Sequence, residues 1–334
     1  TYITACDSAE WNGVWYYNDT IVTDTGLITT NSFGGATVDN TGKEGNIWYF
    51  GNWAGLDFNS GSPIPLLDGN LITLEGCATI SDQNGDLLFY TEGFTSFNKN
   101  HVPMPNGTGL LGHFSSSQSG IIVKKPTSNN IYYLFTVDGV SGIGGNGMYY
   151  SEVDMNLDGG LGDITSNKNI FIASNTCEKI TSIRHQNGID FWIVIRLESS
   201  NTYHSYLLTS SGLNLTPIIT NIGQVYTGNI GCLKSSVDGN RIVAANAESG
   251  TVDIFDFNNQ TGVLSNIMTL NNVEYPYGVE FSPNLNLLYV SEHHADSIYQ
   301  YNLLSSNISN SRTKIGVCGM AGTLQIGPDQ KIYV

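Results

Sequence analysis

The residues with the clearest chemical potential are acidic. VDMNLDGGLGDI, from Val153, sets Asp154, Asn156 and Asp158 at alternate positions before two glycines, the spacing of the first half of a calcium loop. Such a loop needs a bidentate Glu at its twelfth position, and that position is Thr165. The residues therefore predict a hairpin whose Asp and Asn side chains bond their own backbone, with calcium at Asp154, Asn156 and Asp158 as the open alternative. Glu75, Glu178 and Glu280 stand at like places in repeated phrases. A glycosidase could use two such carboxylates several ångströms apart, whereas a purely architectural role would bond them to neighbouring units.

Other chemistry is thin. The chain has no HExxH and no GxSxG, and SSSQSG from Ser115 lacks the leading Gly of a nucleophile elbow. Of His101, His113, His185, His204, His293 and His294 only the last two adjoin. If they sit on a strand they face opposite ways and cannot share a metal. GVSGIGGNG from Gly139 joins two strand-like runs and offers no helix N-terminus to a phosphate. SDQNGD from Ser81 does not keep the spacing of a sialidase Asp box and reads as a hairpin turn. Cys6, Cys77, Cys177, Cys232 and Cys318 lie far apart without a CxxC pair, so a zinc site has nothing to rest on. Buried singly they would act as small hydrophobes; their disulfide pairing stays open. No catalytic, cofactor-binding or metal-ligating set is predicted.

The 334 residues carry a formal net charge of -16 with only 13% charged residues, beside 38 Gly and 18 Tyr. No basic stripe offsets that charge, which excludes nucleic acid as a natural partner. No run of 18 apolar residues is present, and Thr1 begins without a signal-peptide pattern, so a soluble chain with an internal or processed start is expected.

Elements that must position these residues are strands. Four phrases repeat a strand, a tight polar turn, a more apolar strand and a second turn: GCATISDQNGDLLFYTEG from Gly76, EKITSIRHQNGIDFWIVIRLES from Glu178, GCLKSSVDGNRIVAANAESG from Gly231 and YGVEFSPNLNLLYVSEHHADS from Tyr277. Their spacing of roughly 45 residues is that of four-stranded propeller blades. The expectation is an all-β, seven-bladed β-propeller of antiparallel blades near 46–75, 76–118, 119–172, 177–222, 227–272, 275–316 and 319 onward. The last blade is incomplete at LQIGPDQKIYV, and a short N-terminal β segment occupies residues 1–45. Like positions then converge on one axis, placing Glu75, Glu178 and Glu280 at its lining or mouth. Trp11, Trp15, Trp48, Trp53, Trp192, Tyr16, Tyr17, Tyr132 and Tyr133 are expected mostly in blade interfaces, with some left exposed to stack on sugar rings.

The ordered phrases NIWYFGNWAGLDFNSGSP from Asn46, LEGCATISDQNGDLLFYTEG from Leu74, NKNHVPMPNGTGLLGHFSSSQSGIIVKKP from Asn98, IYYLFTVDG from Ile131, YPYGVEFSP from Tyr275 and LQIGPDQKIYV from Leu324 carry a resemblance. The chain resembles the propeller module of large surface proteins of gliding Bacteroidetes exported by the type IX secretion system. The segment from Thr4, TACDSAEWNGVWYYNDTIVTDTGLITTNSFGG, is similar to repeats of very large flavobacterial adhesins, with the usual second Cys replaced near Gly34 or Gly35. The resemblance implies a cell-surface or secreted location, neighbouring domains and secretion machinery as partners, and a polysaccharide or protein ligand. Asp7, Ser8 and Ala9, then Asp19, Thr20 and Ile21, then Asp296, Ser297 and Ile298 resemble the O-glycosylation signal of these bacteria. The expected function is a non-enzymatic adhesion or presentation module. The alternatives are a carbohydrate-active hydrolase or lyase at the channel mouth, or a structural spacer.

Overall fold

The protein is described by a computed structural model covering residues 42–139 and 147–334, with only the backbone of four short strands before residue 42. It is an all-β propeller. The inner strands of the blades are Ile47–Phe50, Ala78–Ser81, Gly120–Lys124, Thr176–Arg184, Leu233–Ser235 and Pro276–Phe281. Each pairs antiparallel with the strand that follows it, and the meander continues outward. The first blade has three strands, and the outer edges of the third and fourth are each shared by two short segments.

The described residues hold six blades, not the seven expected. LQIGPDQKIYV supplies only Gln325–Ile326 and Ile332–Tyr333, two strands of two residues each. That hairpin serves as a wedge between the sixth blade and the first. Tyr333 packs edge-on against Trp48 at 5.4 Å and Phe58 at 5.5 Å, while the Ile326 N–H donates to Glu280 at 3.1 Å.

Burial explains why the second strand of each blade is the most apolar. FWIVIRL (Phe191–Leu197) and IYYLFTV (Ile131–Val137) have neighbours on both faces and on both edges, so alternation would bury polar groups unpaired. Apolar clusters fill the spaces between successive blades. Trp48, Phe89 and Tyr132 lie in the cluster of the first three, Tyr133 and Phe135 between the third and fourth, and Trp192 and Phe255 between the fourth and fifth. Trp53 is the exception, with its indole 54% exposed.

Polar turn residues do what their type requires. Asp82 Oδ1 accepts from the N–H groups of Asn84 at 2.8 Å and Asp86 at 3.0 Å, closing the hairpin over Gly85, whose φ of 91° favours glycine. Asp238 repeats the arrangement in the fifth blade. Ahead of the ring, Ser8–Trp11 pairs with Val14–Tyr17 and Thr30–Phe33 with Ala36–Asp39. The last of these lies parallel to the inner strand of blade three, with Ala36 opposite Ile122.

Glu280 is the buried tie between blades five, six and the wedge. Lys234 Nζ lies 3.0 Å from its Oε2, and both side chains are almost wholly buried. Glu280→Ala strands the ammonium and the Ile326 N–H together, so chemical denaturation should show a loss of about 3 kcal/mol. Glu280→Gln, which keeps an acceptor for Ile326, should lose less. Equal stability of Glu280→Ala and the parent would remove this tie from the account.

Candidate functional site

At one end of the axis the starts of the inner strands are bound to one another by side chains. Tyr277 OH, in blade six, donates to Glu75 Oε2 at 2.9 Å, across 202 residues of sequence. Ser117, at the entry to blade three, donates from both N–H and Oγ to Glu178 Oε2 at 2.9 Å, and its Oγ accepts from the Gly231 N–H at 3.1 Å. Gln118 accepts from the N–H groups of Ile180 at 3.1 Å and Leu233 at 2.7 Å. Gly76 is needed here, because a Cβ would stand 2.2 Å from the Ser119 nitrogen. Among these residues opens a cavity of about 450 Å³, within the range of small-molecule sites. Every blade contributes to its lining, as do Gln325 and Tyr333 of the wedge.

The three carboxylates named from the sequence separate sharply. Glu178 and Glu280 are each 3% exposed and spent on interblade bonds, which is the architectural role and not the catalytic pair. Glu75 is half-buried and is the one carboxylate among the described residues that line the cavity. Burial raises its pKa, and the nearby Glu178 charge adds to the rise; hydrogen bonds from Tyr277 and Ser115 and the positive potential of His293 oppose it.

His293 and His294 do not occupy a strand. They form a 3-10 turn, His293–Ala295, so the expectation of opposed side chains fails: the rings lie 5.7 Å apart. His294 stacks on Tyr275 at 4.0 Å, and His293 sits 5.7 Å from the Tyr277 ring with Nδ1 3.2 Å from the Ala321 carbonyl oxygen. Sequence reading missed Tyr277 and His293 as neighbours of Glu75. A tyrosine in YPYGVEF two hundred residues away gives no local signal. The remaining histidines lie elsewhere: His101 against Tyr90, His185 in a hairpin and His204 against Tyr206, whose surroundings lower the His204 pKa by burial. His113 stacks on Phe114 and accepts from the Ser115 N–H at 3.2 Å.

Asp154 Oδ1 accepts from the Asn156 N–H at 2.9 Å, the self-bonded turn expected of that stretch, and Asp158 opens a short 3-10 turn. Among the described residues no three His, Cys, Asp or Glu side chains gather as a metal set. Cys77, Cys177, Cys232 and Cys318 are free thiols; burial pushes each pKa up, that of Cys77 to about 12. Cys6 and most of the glycine-rich stretch from Gly139 lie outside the described residues. Ser297 is 1% exposed and bonded to the Ala295 carbonyl oxygen, so it is no accessible glycosylation acceptor; the side chains of Ser8 and Thr20 lie outside the described residues.

No family model and no curated protein matches the chain. Among solved structures it is similar to a periplasmic gluconolactonase of Pseudomonas aeruginosa, with 14% identity over 84% of this chain and 80% of that one, at a TM-score of 0.55. A hydrazine synthase of Kuenenia stuttgartiensis aligns at 12% identity over 94% of both chains, TM-score 0.51. A provisionally named 6-phosphogluconolactonase of Bacteroides fragilis aligns at 15% identity over 87% and 86%, TM-score 0.48. The shared property is the propeller fold. The expectation of a non-enzymatic adhesion module is overturned by this comparison, since similar propellers carry the names of enzymes, a gluconolactonase among them.

Beside the cavity, Glu92 accepts from the Thr95 N–H at 2.9 Å through Oε1, while its buried Oε2 has no hydrogen-bond partner. Burial pushes its pKa from 4.5 up to about 7. The folded state thus holds this proton more tightly than the unfolded chain, and the stabilisation present below pH 4.5 is lost as pH rises through 7. Glu92→Gln should flatten the fall in thermal stability across that window, a difference on the order of 2 kcal/mol at pH 8. Parallel melting curves for parent and variant from pH 4.5 to 8 would contradict it.

Proposed function

We propose that the chain is a hydrolase of a small cyclic ester, a lactone of the sugar-acid type, acting at the cavity mouth with Glu75 as general base. The observation that carries this is the state of Glu75: half-exposed, raised in pKa by burial, and fixed at the mouth by Tyr277. A carboxylate that ionises late is a stronger base than one in water. It can take the proton of a water as the oxygen adds to the ring carbonyl carbon; the acyl C–O bond then breaks and the ring oxygen, taking that proton back from Glu75, leaves as the hydroxyl of the open acid.

Tyr277 has no need to transfer a proton. Its hydroxyl holds one carboxylate oxygen in place and leaves Oε1, to which Ser115 Oγ comes only within 3.5 Å, as the oxygen facing water. His293 adds positive potential near Glu75 when protonated. The base lies in a bend three residues before the inner strand Ala78–Ser81 and is held there by the Tyr277 hydroxyl from blade six. The likeness to a gluconolactonase fold supports the same reading, and the surface-protein resemblance adds the proposal that the reaction takes place outside the cell.

Glucono-δ-lactone and related lactones, followed by proton release, give the test. Glu75→Gln should lower kcat/KM at least 100-fold with unchanged thermal stability, and the parent's rate should rise with pH through a pKa above 4.5. Full turnover by Glu75→Gln would defeat the assignment.

A further inference from the structure

One strap of chain, residues 318–323, leads from blade six to the wedge and borders the cavity. Cys318, Gly319, Met320, Gly322 and Thr323 line the same cavity as Glu75. The backbone of the strap is tied along its length to blade six. The Asp296 carbonyl oxygen accepts from the Cys318 N–H at 2.9 Å, and Asp296 Oδ1 accepts from the Met320 N–H at 2.6 Å. Ser291 Oγ donates to the Gly322 carbonyl oxygen at 2.6 Å. His293 Nδ1 lies 3.2 Å from the Ala321 carbonyl oxygen, and because a carbonyl only accepts, that nitrogen carries a proton. The same imidazole stands 5.7 Å from the ring of Tyr277, whose hydroxyl holds Glu75 at 2.9 Å. His293 and Tyr277 thus join the strap to the proposed base.

On this tied backbone one side chain is loose. Ala321 and Leu324 are fully buried, whereas Met320 is 75% exposed. Among the large apolar residues lining the cavity it is the one left mostly in solvent. Its φ of 54° lies in the left-handed region, where glycine is favoured. Of the fourteen non-glycine residues with positive φ among the described residues, Met320 is the one that lines the cavity. Glycine would suit this backbone better, and an exposed side chain has little protein to pack on. Neither the turn nor the core calls for methionine here; the cavity is what remains for the side chain to serve.

An unbranched thioether with three rotatable bonds can close over a bound ring while the backbone stays where it is. Resting on the hydrolase reading for the identity of the ligand, we infer that Met320 is a substrate-contacting residue whose side chain closes over the C–H face of the lactone ring held at Glu75. Such a contact favours bound substrate and transition state alike, so it sets affinity and leaves the bond-breaking step unchanged.

Labelling the methionine methyl groups with carbon-13 gives five NMR signals, one for each Met of the chain, and Met320→Leu identifies that of Met320 by its loss. Titration with gluconolactam, the uncleaved amide analogue of glucono-δ-lactone, should shift that signal and leave the other four nearly in place. Met320→Gly should raise KM for the lactone roughly tenfold, with kcat within about twofold and a melting temperature no lower than the parent's. Met320→Leu, close in volume, should keep KM within about threefold. Lactam that binds without moving the Met320 signal overturns the contact, and so does an unchanged KM in Met320→Gly. If the lactone is not cleaved but the lactam binds and moves the signal, the hydrolase reading fails and the contact stands. If the parent binds no lactam, the contact is overturned whatever the turnover.

Discussion

Sheets can share one axis only if the polar groups at their inner edges meet partners on the neighbouring blade. Where those groups are buried, each carboxylate or amide left without a donor would cost several kcal/mol. The protein meets this constraint with side chains that reach between blades: Glu178 to Ser117, Ser117 to Gly231, Gln118 to both Ile180 and Leu233, Glu280 to Lys234 and Ile326. Lys179 is a further example, wholly buried, with Nζ shared by the carbonyls of Asn229 and Ile230 and its pKa pushed down to about 8 by burial. Most of the polar residues near the axis are therefore joints.

Apolar wedges supply the other half of the closure. Trp48, Phe58 and Tyr333 bring the C-terminal hairpin against the first blade, so the ring meets by packing between residues far apart in sequence. Aromatic area and offset geometry make such contacts strong without a covalent link. The four described thiols remain unpaired, consistent with packing as the means of closure.

Against this frame Glu75 is only half desolvated, and Glu92 keeps a buried oxygen without a hydrogen bond. Fourteen non-glycine residues with positive φ are spread over the described residues, local costs that a rigid ring can sustain. Residues of the same type thus stand in different surroundings: Glu280 is buried and bonded to Lys234 and the Ile326 N–H, whereas Glu75 is half-buried at the cavity with its pKa raised by burial.

The sequence by itself determined the class of fold and the positions of the blades. Strand-turn-strand phrases such as GCLKSSVDGNRIVAAN are local, and a tight turn that needs Asp, Asn or Gly announces itself within ten residues. It also determined that VDMNLDGGLGDI makes a turn, since Asp154 bonds its own backbone. Only tertiary structure decided how many blades the described residues hold, because a two-residue strand pair has the same local signature as the start of a blade and differs in what packs around it. It likewise decided which glutamate lines the cavity half-buried and which two are spent between blades. The repeated phrases suggest like places for Glu75, Glu178 and Glu280, but Glu75 lies in a bend three residues before its inner strand while Glu178 and Glu280 lie within theirs, and partners arrive from other blades, up to 202 residues away, so the surroundings of each follow tertiary placement rather than the phrase.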